Sequence, residues 1–377
     1  MIRSIFAFVL LFASLFGGAY AQGSQPLELT YDVEFESYFD NREFAMVPDL
    51  TFRSDTDFGA RQFTAFGVQF AKGSSLNAGF ELMLPYGESD GGFVSRVMPV
   101  LYFSFDSDRW SATAGIFPRS RMNIGSYSRA FFSEDYLFTD NLVSGLMGQY
   151  RGSDGLTFAE FVCDWEGKRT SETRERFRLL SAGRKYWGKF YAGYNLSVTH
   201  FACQDVEYLD NVVDNMLLNP AVGADFMLGQ FAAKARLGYL QSMQQDRRYG
   251  SGWQMPGMGE VGFSVSRWGL TFDEQFYFGK DLMPLYGGQV VEVEGSDSVH
   301  VAYGDLLYTG DPCFSTNGGF YNRASVGFER AFFNDILRFR ALFVTHLTSA
   351  GLGTEQIVEV NVKLCGTLYK PKAHASK

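Results

Sequence analysis

The sequence predicts an all-β protein, a transmembrane antiparallel β-barrel of about 16 strands, with 14 and 18 as the alternative counts. Three observations carry this reading. Apolar and polar residues alternate with a period of two along most of the chain, as they do in a strand with one apolar and one polar face. The alternating segments run to ~10 residues or more, the length that crosses a bilayer at a tilt, whereas ordinary strands average ~5–6. The breaks between segments alternate between short and long, as in membrane barrels with tight turns at one end and larger loops at the other.

Composition points the same way. Of 377 residues, 17% are aromatic and 20% charged, the latter below the ~25% of soluble domains. So many aromatic residues exclude disorder, and a mean hydropathy of −0.10 argues against a bundle of membrane helices. A formal net charge of −9 argues against nucleic acid as a partner.

The first element is a leader rather than part of the fold. Arg3 supplies a positive start, Ile5 to Phe16 is an apolar run interrupted by Ser14, and Ala19-Tyr20-Ala21 offers small residues for cleavage. Residues 1–21 therefore read as a secretory signal, with the mature chain starting at Gln22. The run is shorter than the ~20 residues of a spanning helix, and no cysteine sits at the junction to take a lipid anchor.

The barrel is expected over 22–366, followed by a periplasmic tail, 367–377. Its first strand sets Leu27, Leu29, Tyr31, Val33 and Phe35 on one face against Glu28, Asp32, Glu34 and Glu36 on the other. The last sets Val358, Val360, Val362 and Leu364 against Glu359, Asn361 and Lys363. The sixteen segments fall near 27–39, 61–72, 74–85, 93–105, 109–118, 141–151, 155–165, 174–187, 189–201, 220–228, 230–243, 258–266, 268–279, 319–330, 335–347 and 353–365. Gly73, Ser107-Asp108, Gly188, Gly229 and Gly269 mark short turns, and the largest breaks are 119–140 and 280–318. An even count brings both termini to the short-turn side, the periplasm in this class of barrel. Trp110, Trp187 and Trp268, with Tyr186 and Tyr191, are expected at that rim, and Trp165 and Trp253 at the other. Aromatic girdles at both interfaces separate a lipid-facing barrel from a soluble sandwich.

Taking the apolar face as lipid-facing, the polar face lines a lumen. Glu28, Asp32, Glu34 and Glu36 then form an acidic stripe on the first strand, and Arg174, Arg176, Arg178 and Arg184 a basic one on the eighth. Arg323, Arg338 and Arg340 add further inward cations, and Glu160 and Asp164 are expected to pair with the eighth strand. Sixteen strands enclose enough room for water, so opposed charged walls would impose a transverse field on polar solutes. Mutual pairing of these charges, merely solvating a polar interior, is the plainer reading of the same residues.

The break 119–140 carries Arg119, Arg121 and Arg129 before Glu134, Asp135 and Asp140, together with Phe131-Phe132 and Tyr136-Leu137-Phe138. That much apolar surface favours packing over exposure to water, at ~1.5–3 kcal/mol per buried side chain. A constriction loop inside the lumen is expected, its basic end toward the acidic stripe, with an outer cap or a latch between subunits of a homo-oligomer as the competing reading.

In this third long loop the chain resembles bacterial porins, whose third loop commonly folds inward to narrow the pore. Gly115-Ile116-Phe117-Pro118-Arg119 and the stretch from Asp164 to Phe177 also look like recurrent segments of poorly characterised envelope barrels. The resemblance implies an outer-membrane barrel of a Gram-negative envelope, surrounded by outer-membrane lipid and inserted by the barrel-assembly machinery. It implies a channel for small polar solutes, without a cofactor. A binding or assembly component using loop 280–318 and the Asp164-to-Phe177 hairpin is the alternative.

Chemistry has a weaker signature. Cys163, Cys203, Cys313 and Cys365 show no metal spacing, and a Cys203–Cys313 bridge between loops is the one pairing the compartment favours. His200, His300, His346 and His374 form no ligand motif. A hydrolase would need a nucleophile beside a base; His346, with Thr348 and Ser349 nearby, is the candidate, though polar residues at a strand end account for it. No enzyme activity is expected.

Overall fold

In the computed structural model, residues 27–44, 54–87, 94–203, 205, 211–249, 252–287, 289–291, 299–301, 303–315 and 319–370 are described. The leader and the end of the tail lie outside them. Sixteen antiparallel strands close into one barrel. They are β1 (Glu28–Glu43), β2 (Asp55–Ala71), β3 (Ser74–Pro85), β4 (Arg96–Asp106), β5 (Trp110–Pro118), β6 (Leu142–Arg151), β7 (Phe158–Gly167) and β8 (Arg176–Trp187). The circuit continues through β9 (Phe190–Phe201), β10 (Val213–Leu228), β11 (Phe231–Asp246), β12 (Gly257–Arg267), β13 (Leu270–Gly279), β16 (Phe320–Phe332), β17 (Leu337–Thr348) and β18 (Gly351–Tyr369). The short pair β14 (Gln289–Val291) and β15 (Val299–Val301) lies in the connection between β13 and β16 and forms a separate two-stranded sheet. Pairing of β1 with β18 closes the ring, with Val33 opposite Leu364 and Ser37 opposite Val360. Closure leaves no sheet edge whose backbone groups would be stranded in lipid.

Alternation sets the two faces. On β3 Leu76 and Phe80 are exposed on the outside, while Glu81, the next residue after Phe80, is buried inside. The same parity puts Phe343 and Leu347 outside and Val344 and His346 inside on β17. All five tryptophans are exposed. Trp268 sits in the turn between β12 and β13 with φ 57°, next to Gly269 at φ 86°. Tyr186 and Tyr191 do not join that outer girdle: their parity turns them into the lumen, where their rings lie 5.3 Å apart. Tyr191 is buried beneath Arg184.

Several boundaries differ from the sequence reading, among them the start of β2 at Asp55 instead of near 61. Strand β10 starts at Val213, because the chain stays extended through Pro220. The ladder to β11 skips Asn219 and Pro220 and resumes in the same register at Ala221; proline has no N–H to give, so the interruption falls there. Strand β18 runs to Tyr369, opposite Leu29, three residues beyond the expected barrel limit.

The turns at one end are tight, with Gly188 and Gly229 at φ 63° and 64°. The long connections gather at the other end, and two of them fold into the barrel.

Candidate functional site

The connection 119–141 enters the lumen directly after β5. Arg119 anchors it: its guanidinium donates to Asp164 Oδ2 on β7 at 3.0 Å and to the Leu142 carbonyl at 3.1 Å, and the side chain is 1% exposed. Further on, Asn123 N and Nδ2 donate to Glu160 Oε2 at 2.8 and 2.9 Å, and Tyr127 donates to Oε1 of the same carboxylate at 3.1 Å. Ser128 N then reaches Asn195 on β9. The chain turns back through a short helix α1 (Glu134–Thr139), whose Ser133 side chain accepts from Tyr136 N as an N-cap. On the opposite side Phe138 stacks on Tyr38 of β1 at 4.6 Å, and Arg61 of β2 donates to the Phe138 carbonyl at 2.7 Å. The loop therefore crosses the lumen from wall to wall.

Residues 282–287 and 303–315 of a second long connection, 280–319, follow it inward. Leu282, Met283, Leu285, Leu307 and Phe314 are buried in one apolar cluster with Phe131 and Phe132. The two loops pair along their backbones. Ser133 N donates to Thr309 O at 2.7 Å, Asp311 N to Arg129 O at 3.0 Å, and Thr309 Oγ1 to Phe131 O at 2.6 Å. Gly310 permits this approach, since a Cβ there would lie 2.1 Å from the Ala130 carbonyl oxygen. Sequence reasoning missed this second inward loop, although its Leu282-Met283, Leu306-Leu307-Tyr308 and Phe314 carry the same apolar signal that placed the first.

Between the loops and the short-turn end lies a cavity of about 650 Å³, lined by Arg129, Glu134, Arg184, Arg236, Glu260, Asp273 and Arg340 among others. Arg129 and Glu134 also line a cavity of about 30 Å³ above the loop, so this pair forms part of the partition between the two spaces. Glu134 is ion-paired to Arg129 and to Arg340, the latter at 2.6 Å, and Arg340 holds Glu359 at 2.7 Å. Burial alone would raise the Glu134 carboxyl, but the two guanidiniums outweigh it and hold it well below the usual carboxylate range. The Arg129 guanidinium is raised in turn: burial opposes its charge, and Glu134 more than compensates. Such a network fixes the loop, because each buried charge has its counter-charge in reach.

The wall charges lie inward, and most are matched locally. On β1, Glu36 is paired with Arg61, Glu34 with Lys363 at 3.1 Å, Asp32 with Lys363 at 3.9 Å and Glu28 with Lys370 at 2.8 Å. On β8, Arg176 and Arg178 share Glu166 at 2.8 and 3.2 Å, and Arg184 lies over the Tyr191 ring at 4.4 Å. Arg174 precedes that strand and donates to the Ala202 and Asn211 carbonyls at 2.8 and 2.9 Å among the long-end connections. Glu160 and Asp164 serve the crossing loop, and Glu166 takes the place expected for them beside the arginines. Of the loop's own charges, Arg121 meets Asp106 at 3.3 Å and Asp140 lies 3.7 Å from Arg119. Its basic end thus faces β4 and β7 instead of the acidic stripe. Asp135 lines the smaller cavity with Arg323. Arg338 is half exposed, 3.7 Å from Glu329. These pairings quench much of the transverse field expected from two opposed walls.

No disulfide joins Cys203 to Cys313. Cys313 is buried against His346 instead, Sγ to Nδ1 3.4 Å. Thr348 spends its hydroxyl on the turn, accepting from Ala350 N at 3.2 Å. His346 is surrounded by Cys313, Tyr321 and Glu355, so the expected grouping with Thr348 and Ser349 is not the one the fold makes.

This architecture recurs in solved outer-membrane proteins. OccK5 (OpdH) of Pseudomonas aeruginosa is similar at TM-score 0.51 and 10% identity, over 90% of this chain and 98% of that one. The outer-membrane protein opdK of the same organism matches at 0.51 and 9%, over 91% and 100%. A loop-deletion mutant of OmpT from Vibrio cholerae matches at 0.50 and 9%, over 90% and 99%. The barrel thus has the porin-like outer-membrane fold. No curated protein sequence matches the chain. A family model described as "Lipid A 3'-O-deacylase-type" matches residues 21–306, ending before Cys313, Tyr321, His346 and Glu355. By that match, which spans most of its length, the chain belongs to the Lipid A 3'-O-deacylase-type family.

Proposed function

We propose that this protein is an outer-membrane channel for small polar solutes, with a lumen narrowed by the loops 119–141 and 280–319. The observation that carries the reading is the partition at Glu134: one carboxylate, clamped by Arg129 and Arg340, divides a polar cavity of about 650 Å³ from the space above. A cavity of that volume is the size that takes small molecules. Its lining offers both carboxylates and guanidiniums, the groups that replace water around a polar solute. Burial of Phe131, Phe132 and Phe138 within their own chain favours a constriction over a latch between subunits. In this reading the long loops face outward, both termini are periplasmic, and the barrel-assembly machinery inserts the chain into outer-membrane lipid. The acidic β1 stripe, the β8 arginines and the crossing loop line the path, and no cofactor takes part. Proteoliposome swelling in sugars, amino acids and organic acids tests it: permeation falling with solute size is expected, and no swelling in any solute rejects it.

The family gives a second reading, hydrolysis of an acyl ester on an envelope lipid. One observation inside the matched segment favours it. His200 lies on the lipid-facing side of β9 at the long-loop rim, with Nδ1 3.9 Å from Asp214 Oδ1 and Phe177 stacked on its ring at 5.0 Å. An imidazole with a carboxylate within ion-pair reach is a candidate general base; here Asp214 also accepts from Arg247 at 2.6 and 2.9 Å. Mass spectrometry of lipid A from cells expressing the protein decides it. Loss of one acyl chain, abolished by His200→Ala, supports the hydrolase; unchanged lipid A removes it.

A further inference from the structure

One cluster is used by neither reading. Asp311 and Cys313 lie on the inward loop between β13 and β16, and His346 lies on the wall strand β17. One ligand atom from each falls within 4.8 Å of the other two. The geometry points to a binding site for a thiophilic divalent cation of the zinc class, held by Asp311, Cys313 and His346, which fastens the inward loop to the barrel wall.

Four observations support it. Cys313 Sγ and His346 Nδ1 are 3.4 Å apart. In a tetrahedral zinc site, bonds of ~2.3 Å to sulfur and ~2.0–2.1 Å to nitrogen set those two atoms roughly 3.5 Å apart. The far nitrogen, Nε2, lies 3.2 Å from Glu355 Oε2. With its proton given to that carboxylate, Nδ1 presents its lone pair toward Cys313, the orientation that metal-ligating histidines receive from an outer carboxylate. A cavity of about 30 Å³ opens beside Asp311, His346 and Glu355, above the ~10–15 Å³ that one water requires. It leaves room for a water as the fourth ligand on the side of Asp311 and His346. Finally, a thiolate, an imidazole and a carboxylate together favour zinc over calcium or magnesium, which take oxygen.

The same side chains spell out a nucleophile, a base and an orienting acid. Cys313 and His346 are 1% and 2% exposed, however, so no acyl substrate reaches the sulfur. Small ions need less room. Binding moves the Cys313 thiol proton to solvent and replaces the hydrogen bond between Tyr321 OH and Nδ1, now 2.9 Å. Because Asp311 N also donates to Arg129 O, the ion would brace both loops together. The site stands whether or not the barrel conducts.

The test uses the full mature barrel in detergent, saturated with zinc chloride and then dialysed against metal-free buffer. One equivalent of zinc per chain is expected, falling to background in Cys313→Ser and His346→Gln and unchanged in Cys203→Ser. Cobalt chloride in place of zinc should give a thiolate-to-cobalt charge-transfer band that Cys313→Ser lacks. Heat-modifiable mobility shows which variants are folded. Should Cys313→Ser not fold, the cobalt band of the unmodified protein, and its loss on chelation, decide alone. Background zinc in the unmodified protein, full zinc in a folded Cys313→Ser, or cobalt bound without the thiolate band overturns the proposal.

Discussion

Glu134 Oε1 lies 2.6 Å from Arg340 Nη2, joining the connection after β5 to a wall strand six places round the ring. A loop fixed at both its roots and its tip behaves as part of the barrel, not as a mobile strap above it. Arg61 and Phe138 add a second attachment on β2 and β1. The apolar seam with the second loop fills the space between.

Breaking that tip contact should open the lumen without unfolding the barrel. Removing one partner of a buried pair costs ~3–5 kcal/mol, and the one-fifth exposure of the Arg340 side chain puts the effect at or below the lower end. Arg340→Ala is therefore expected to keep heat-modifiable mobility and to raise single-channel conductance. Lost mobility would mean that Arg340 holds up the wall instead of the loop.

Acidity gives an independent check on the same carboxylate. A depressed carboxyl contributes stability that is fully present above its unfolded value, ~4.3, and is lost only as pH falls through its lower folded value. With Glu134 held well below the usual range, its own carboxylate should contribute no conductance step between about pH 7 and the ordinary carboxylate value. A step within that window, absent from Glu134→Gln, would show the clamp to be weaker than its geometry implies.

Facing positions on one strand should tolerate charge differently. Phe80→Arg and Val360→Arg put a guanidinium on the lipid side, at about 2–4 kcal/mol near the bilayer midplane. Asn77→Arg and Asn361→Arg point inward, where Asn361 already donates to Glu34 at 2.8 Å. Folded yield in liposomes should fall for the first pair and hold for the second; equal losses would contradict the assigned faces.

The seam between the loops depends on one missing side chain. Gly310→Val forces a Cβ against the Ala130 carbonyl, 2.1 Å away in the present backbone. Cleavage within the loops by an added protease should speed up several-fold, with the barrel itself resistant. Unchanged cleavage would show that the loops are held by their wall contacts alone.

Much of this fold was legible because period-two alternation needs only local sequence. Strands β3 and β5 sit where the pattern puts them, and the inward and outward faces of β1 and β18 follow from it. Pro220 hid the start of β10, since a proline inside a strand reads as a boundary. Tyr186 and Tyr191 were misplaced because nearness to a rim says nothing about which face a side chain takes. The inward course of 119–141 was readable from Phe131, Phe132 and Phe138, which are too apolar for water. Its partners were not readable, because Arg340 and Arg61 come from strands remote in sequence. The grouping of Cys313, His346 and Glu355 was hidden for the same reason: only ring closure and an inward loop bring them together.

Single-channel conductance in planar bilayers, measured for the intact chain and for a deletion of 124–136, bears most directly on the channel narrowed from within. The intact barrel should pass a small, ion-selective current, and the deletion a clearly larger and less selective one. Absence of current from both folded proteins would contradict the channel, and equal conductance from both would contradict the constriction.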